Sequence, residues 1–226
     1  MKFSLYIGTR KYSLKSEEEI TKLYPEEFNC NYRVLVGSKN ILEDIQLAYK
    51  ELFQEAIDKY NQNSKKEIKD YYSKINESKK MSLATGIVIK INTFNFDLLK
   101  NKKEVITLFE NQIKKLKNLI PNFYIVSAIL YFDNKYKAFK LRIVGIPYIK
   151  DSEKKLEVRV GKSSCFKKDT IEKIRLKLQI QAKSDYLKFF IKELQQKDLF
   201  QGREVQVKKF KMQRIEIEQL TLFQIN

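Results

Sequence analysis

Hydrophobic positions along this chain change period several times, and the changes mark out the elements. Residues 3–7 and 33–36 read as short strands from their β-branched and aromatic content. Ser38 is a candidate cap for a helix beginning near Asn40 or Ile41. Leu42, Ile45, Tyr49, Leu52, Phe53, Ala56, Ile57 and Tyr60 then fall three and four apart in one stripe. Asn61-Gln62-Asn63-Ser64 breaks that stripe and supplies another cap. A second helix is predicted from Lys65 to about Lys79, with Ile68, Tyr71, Tyr72 and Ile75 as a thin apolar face on a basic background. Residues 86–92 read as a strand. A helix from about 96 to 118 follows, carrying Leu98, Val105, Leu108, Phe109, Ile113, Leu116 and Leu119, and Pro121-Asn122 ends it. Two more strands, 123–132 and 139–146, are joined by Asp133-Asn134-Lys135-Tyr136-Lys137, a polar connection of hairpin length. Residues 157–160 read as a short strand. A long helix is predicted over 168–196, marked by Ile171, Ile174, Leu178, Ala182, Phe189, Ile191 and Leu194. Residues 204–217 alternate well enough for a final strand. No repeat, Pro/Gly-rich linker or low-complexity tract interrupts the order. The order predicts an α+β fold, an antiparallel sheet flanked by helices rather than a doubly wound sheet. Residues 1–226 read as a single domain, with the long helix and final strand in the same unit.

Composition narrows the chemistry. Of the 226 residues, 43% are hydrophobic and 12% aromatic, enough for a packed core. No apolar run approaches the roughly 18–20 residues that span a bilayer, and the first apolar stretch is too short for a signal-peptide core. The expectation is a cytoplasmic protein with no membrane partner. There is no histidine, no tryptophan, and two cysteines. That excludes His-ligated metal centres, Ser-His and Cys-His nucleophilic pairs, imidazole acid–base catalysis and Cys-rich zinc sites. Carboxylate-held Mg²⁺ or Mn²⁺ and Tyr, Lys or Ser/Thr chemistry remain. The six glycines form neither a Walker nor a dinucleotide pattern, and no cofactor is expected. Cys30 and Cys165 read most simply as reduced thiols, a disulfide being the alternative.

Charge changes the picture most. Lys and Arg number 45 against 28 Asp and Glu, a formal net charge of +17. Such a domain is drawn to polyanions over long range and in a salt-dependent way. Nucleic acid is the leading partner and an acidic protein surface the second. The plain alternative is a solvated surface that keeps the protein in solution. Only 7 of the 45 cations are Arg. The bias to Lys, Asn and Ile looks like that of an AT-rich genome, so little is read into Lys over Arg.

A series of local patterns stands in a consistent order. The stretch 45–61 ends in Tyr60-Asn61. Ile68-Lys69-Asp70-Tyr71-Tyr72-Ser73-Lys74-Ile75 follows, then Ser78-Lys79-Lys80, the strand 86–91, the helix 98–119, Pro121-Asn122-Phe123 and the hairpin 128–147. Over about residues 40–160 this order resembles the plasmid mobilisation and recombination relaxases (the Mob/Pre group) and their phage and plasmid relatives, with a weaker echo around residues 155–160. They belong to the wider HUH class, which nicks single-stranded DNA with a divalent metal held by histidines. The resemblance implies a relaxase- or Rep-like sheet. This chain departs from the pattern at the metal. Tyr131-Phe132-Asp133-Asn134 stands where the family has His-hydrophobic-Asp-Glu, and Lys140-Leu141-Arg142 where it has His-hydrophobic-His. Cations there repel a divalent metal and attract phosphate. The implication is a nicking scaffold without its metal site, its sheet still fit to hold nucleic acid or a protein.

The candidate nucleic-acid-binding residues are therefore Lys65, Lys66, Lys69, Tyr72, Lys79 and Lys80 around the second helix, Lys140 and Arg142 on the hairpin, and Arg159 and Lys162 after it. Basic side chains interleaved with aromatics serve single strands, charge meeting phosphate and rings meeting bases. The alternatives are an ordinary polar strand face for Lys140 and Arg142, and a solvated helix face with tyrosines packed inward for the second helix. Asp133 reads as a hairpin turn residue. Three functions are expected in descending order. The first is a catalytically inactive, relaxase-like protein of a plasmid or phage that binds single-stranded DNA or RNA. The second is an anti-CRISPR-like inhibitor that docks on a nucleic-acid-containing host complex. The third is a nicking nuclease using carboxylates such as Asp133 and a Tyr such as Tyr72.

Overall fold

The computed structural model describes residues 1–7, 13–23, 31–78, 80–93, 99, 103–161 and 165–196, the side chains of 190 and 192–196 excepted. The predicted strand over 204–217 lies outside them. Strand β1 (Lys2–Ile7) turns Leu5 and Ile7 to one side and Ser4 and Tyr6 to the other, the period-2 behaviour of an extended chain. The same alternation runs through β4 (Ala84–Asn92) and β6 (Ala138–Lys150), and through β3 (Asn31–Val36) and β5 (Phe123–Asp133) apart from register shifts at Val34/Val36 and Ile125/Ser127. Short β2 (Ser13–Leu14) pairs with β4, and β7 (Val158–Val160) pairs with β6. The strands form an antiparallel sheet in the order β1-β4-β6-β5-β3. The α+β expectation holds, and the β5–β6 hairpin is the middle of the sheet.

One face carries Ile87, Ile89, Ile91, Phe139, Leu141, Ile143, Ala128 and Leu130. It is covered by α4 (Lys103–Leu119) and α5 (Lys168–Gln196), which present Val105, Phe109, Ile113 and Leu116, and Ile174, Leu178 and Ala182. The other face carries Val126, Ile129, Val144 and Ile146 beneath α1 (Glu17–Thr21), α2 (Ile41–Gln62) and α3 (Tyr71–Asn76). Phe53, Tyr49 and Tyr71 interlock there, with ring centroids 5.0–6.2 Å apart. Among the described residues no helix is long and apolar enough to cross a membrane.

Three local expectations need correction. Asn40, not Ser38, caps α2: its side-chain oxygen accepts from Glu43 N at 3.2 Å, and its amide donates to the Glu43 carboxylate at 3.0 Å. The first of these bonds satisfies the Glu43 backbone donor, while Ser38 Oγ accepts from the N–H of Asn40 itself at 3.0 Å. The second helix begins at Tyr71, not Lys65. Asn61 holds the preceding chain in a loop by bonding Ile68 on both sides, accepting from its N–H at 2.8 Å and donating to its carbonyl at 3.1 Å. Asp70 then starts the helix by accepting from Ser73 N at 3.2 Å. The third correction is an omission: α1 and β2 carry too few apolar positions, Ile20 and Leu14, to announce themselves. Cys165 is buried, and its thiol donates to the Asn122 carbonyl at 3.1 Å.

Candidate functional site

Among the described residues, the helices on α2's side pack over one end of the sheet. Val144 and Ile146 lie beneath them, but Lys140 and Arg142, on the same face of β6, lie toward the hairpin end. The register fixes their neighbours. Lys140 stands opposite Lys90 on one side and Tyr131 on the other; Arg142 stands opposite Val88 and Ile129. Outward from these, Lys90 faces Ser4, Val88 faces Tyr6, and Tyr131 faces Tyr32. Two adjacent rows across the sheet thus bring three cations and three tyrosines onto one face. Lys90, Lys140 and Arg142 are all half-buried, so their charges act through less water than those of freely solvated lysines.

Rings and cations are interleaved in contact. The Arg142 guanidinium carbon sits 5.8 Å from the Tyr131 ring centroid, and the Tyr131 and Tyr32 rings are 6.3 Å apart. Lys39 Nζ lies 5.8 Å from the Tyr32 ring. At the hairpin, Lys90 Nζ is 5.1 Å and Lys135 Nζ 5.4 Å from the Tyr136 ring. These are cation–π distances. Tyr131 is buried and donates to the Leu23 carbonyl at 3.4 Å, so it supports the patch from below.

A divalent metal of the kind the relaxase resemblance implies does not fit here. The resemblance would set Tyr131, Lys140 and Arg142 at the positions of that motif, and the register places Lys90 opposite Lys140. Two ammonium groups and a guanidinium offer no lone pairs to a cation and repel it. The same groups attract a phosphate.

The other predicted residues do not gather on this face. Lys65, Lys66 and Lys69 are exposed on the loop before α3. Lys66 and Lys69 share a groove of about 340 Å³ with Glu67, Asp70 and Glu77, so its charge is mixed. Lys80 is exposed on the connection from α3 to β4. Arg159 on β7 is tied to Asp151 at 3.2 Å. Lys79 and Lys162 lie outside the described residues.

Tyr72 packs edge-on to Tyr49 at 5.4 Å and donates to the Glu17 carboxylate at 2.8 Å. Burial, then the hydrogen bond and charge of Glu17, push its phenol well above the usual range. Its phenolate is therefore harder to form. Asp133 Oδ1 accepts from Tyr136 N at 3.0 Å, the expected turn role.

Lys90, Tyr6 and Tyr136 belong to no motif. Lys90 was visible only as a single polar break in the apolar run Ile87-Val88-Ile89-Lys90-Ile91, and nothing local shows which strand lies beside it. No protein-family model, curated protein or solved structure matches this chain.

Proposed function

We propose that this protein binds single-stranded nucleic acid at the cationic, hairpin end of its sheet and does not cut it. The observation that carries the reading is the cross-strand register that gathers Lys90, Lys140 and Arg142 beside Tyr131 and Tyr32. A patch of half-buried cations meets backbone phosphates, with Tyr131 and Tyr32 packed beneath and beside it. The net charge of +17 supports the same partner by long-range attraction. The resemblance to the Mob/Pre relaxases supports a plasmid or phage setting and a sheet that once served as a nicking surface.

Fluorescence anisotropy with labelled single-stranded DNA and RNA, at low and high salt with Mg²⁺, tests the reading. Log K is expected to fall with log salt, and each of Lys90→Gln, Lys140→Gln and Arg142→Gln is expected to reduce the slope by about 0.7. The same samples on a denaturing gel are expected to show intact strands. Cleavage that disappears in Tyr72→Phe overturns the non-cutting half of the proposal. Absence of binding at low salt overturns the nucleic-acid half and assigns the patch to an acidic protein or a host ribonucleoprotein, the inhibitor reading.

A further inference from the structure

Of the described tyrosines, Tyr6 (46% exposed) and Tyr136 (57% exposed) are the exposed ones, and both belong to the cationic end of the sheet. Large rings at the surface leave apolar area in water, and most tyrosines here avoid that by packing inward. Tyr6 stands opposite Val88, two residues along β4 from Lys90 on the same face. Tyr136 reaches β4 from the hairpin. Its carbonyl accepts from the Asn92 side chain at 3.2 Å, and its ring lies 5.1 Å from Lys90 Nζ. The order along β4 is therefore Tyr6, Lys90, Tyr136, spread over the four residue steps from Val88 to Asn92. At about 3.4 Å per residue that is about 14 Å of strand. Lys140 flanks Lys90 from the other side. The hairpin holds Tyr136 by its main chain, with bonds from the Asn92 side chain to its carbonyl and from its own N–H to Asp133, so the turn does not depend on the ring, whose neighbours are the ammonium groups of Lys90 and Lys135.

We propose that Tyr6 and Tyr136 are two base-stacking platforms, and that Lys90 and Lys140 between them hold the intervening backbone phosphate of one single strand. The inference rests on the nucleic-acid reading above and adds a contact to the bases themselves. A cationic patch alone binds a backbone whether or not bases are attached. A stacked site requires an unpaired base with an open π-face, so it selects single strands over duplex.

The test compares an oligouridylate of about 12 nucleotides, within the roughly 4–16 that one single-strand site covers, with a base-free abasic strand of equal length. The full-length protein is expected to bind the base-bearing strand at least roughly tenfold more tightly. Tyr6→Ala and Tyr136→Ala are each expected to weaken that strand about tenfold. Neither removes a charge, so the salt slope and the affinity for the abasic strand stay as they were. Circular dichroism checks that each variant is folded, and Tyr136→Leu, which keeps bulk without a π-face, is expected to behave like Tyr136→Ala. Because the chain has no tryptophan, Tyr136→Trp introduces a single indole whose fluorescence should be quenched by the uridylate and not by the abasic strand. Equal, salt-dependent binding of both strands overturns the stacking platforms and leaves the cationic patch standing. Salt-independent binding, or none, overturns both.

Discussion

Lys90 and Lys140 are direct cross-strand partners on the same half-buried face of the sheet. Like charges opposite one another destabilise a strand pair by about 0.2–1 kcal/mol. Val88 and Arg142, in the next row, pair without such a conflict. The fold thus carries a local cost where it has a phosphate-attracting patch, as binding sites commonly do. A double-mutant cycle over Lys90→Gln and Lys140→Gln, followed by urea unfolding without nucleic acid, isolates the pair from other contacts of either residue. The coupling is expected to be repulsive, of about the size above, and to shrink as salt rises. An attractive coupling would mean that the two ammonium groups do not oppose each other.

Gly37 sits where β3 gives way to the start of α2, with φ of 75°. A Cβ there would lie 2.6 Å from the Val126 carbonyl and 2.7 Å from Asp44 Oδ2. Asp44 cannot move away cheaply, since the same oxygen accepts from Ser38 N at 2.7 Å. Left-handed backbone alone costs a residue with a side chain about 1–2 kcal/mol. Gly37→Ala is expected to exceed that, at roughly 2–3 kcal/mol, once the contacts are added. Thermal and urea unfolding check it. A change below half a kcal/mol would show that the turn relaxes.

Gln112 is a buried polar residue of α4 in an otherwise apolar stripe. With its amide turned to satisfy both groups, its NH₂ donates to the Leu178 carbonyl at 3.1 Å and its oxygen accepts from Ala182 N at 3.2 Å. Those two backbone groups are four residues apart on α5, the pair an uninterrupted helix bonds to itself. Gln112→Met keeps the volume and leaves both backbone groups to the continuous helix α5, so it is expected to cost less than about 1 kcal/mol. Gln112→Ala opens a cavity between α4 and α5 and is expected to cost about 2–4 kcal/mol. Equal losses in the two variants would assign the effect to the amide rather than to packing.

Most of the architecture was legible because the core residues obey simple periods. The stripe of α2 and the alternation of β4, β5 and β6 follow from burial on one or two faces, and so did the antiparallel order. The helix predicted from Lys65 failed because apolar spacing at Ile68, Tyr71 and Ile75 does not show a competing cap, and Asn61 and Asp70 impose one. The proposed binding patch was half legible. Lys140 and Arg142 lie two apart on one strand, which any alternating reading pairs. Lys90, Tyr6 and Tyr32 come from three other strands, and only the register brings them together. The basic stretch around Lys66 was the more conspicuous in the chain, yet acidic neighbours dilute it in space.

Asp70 gives the pH dependence a definite sign. Its carboxylate accepts from Ser73 Oγ at 2.5 Å and from Ser73 N at 3.2 Å, capping α3. The Ser73 hydroxyl bond, against a smaller opposing effect of burial, holds its pKa below the ordinary carboxylate value. A lowered folded-state pKa means that the carboxylate stabilises the fold fully above the unfolded-state value. That contribution fades as pH falls through the folded value. At neutral pH, Asp70→Asn is expected to match the parent closely, because Asn caps as well as Asp, whereas Asp70→Ala is expected to lose about 1 kcal/mol. On acidification from the ordinary carboxylate range downward, the parent should lose stability more steeply than Asp70→Asn, since only the parent has a proton to take up at this site. Urea midpoints measured from neutral pH down through that range decide it. Parallel curves for the two would remove Asp70 from the acid transition, and a steeper curve for Asp70→Asn would reverse the assigned sign.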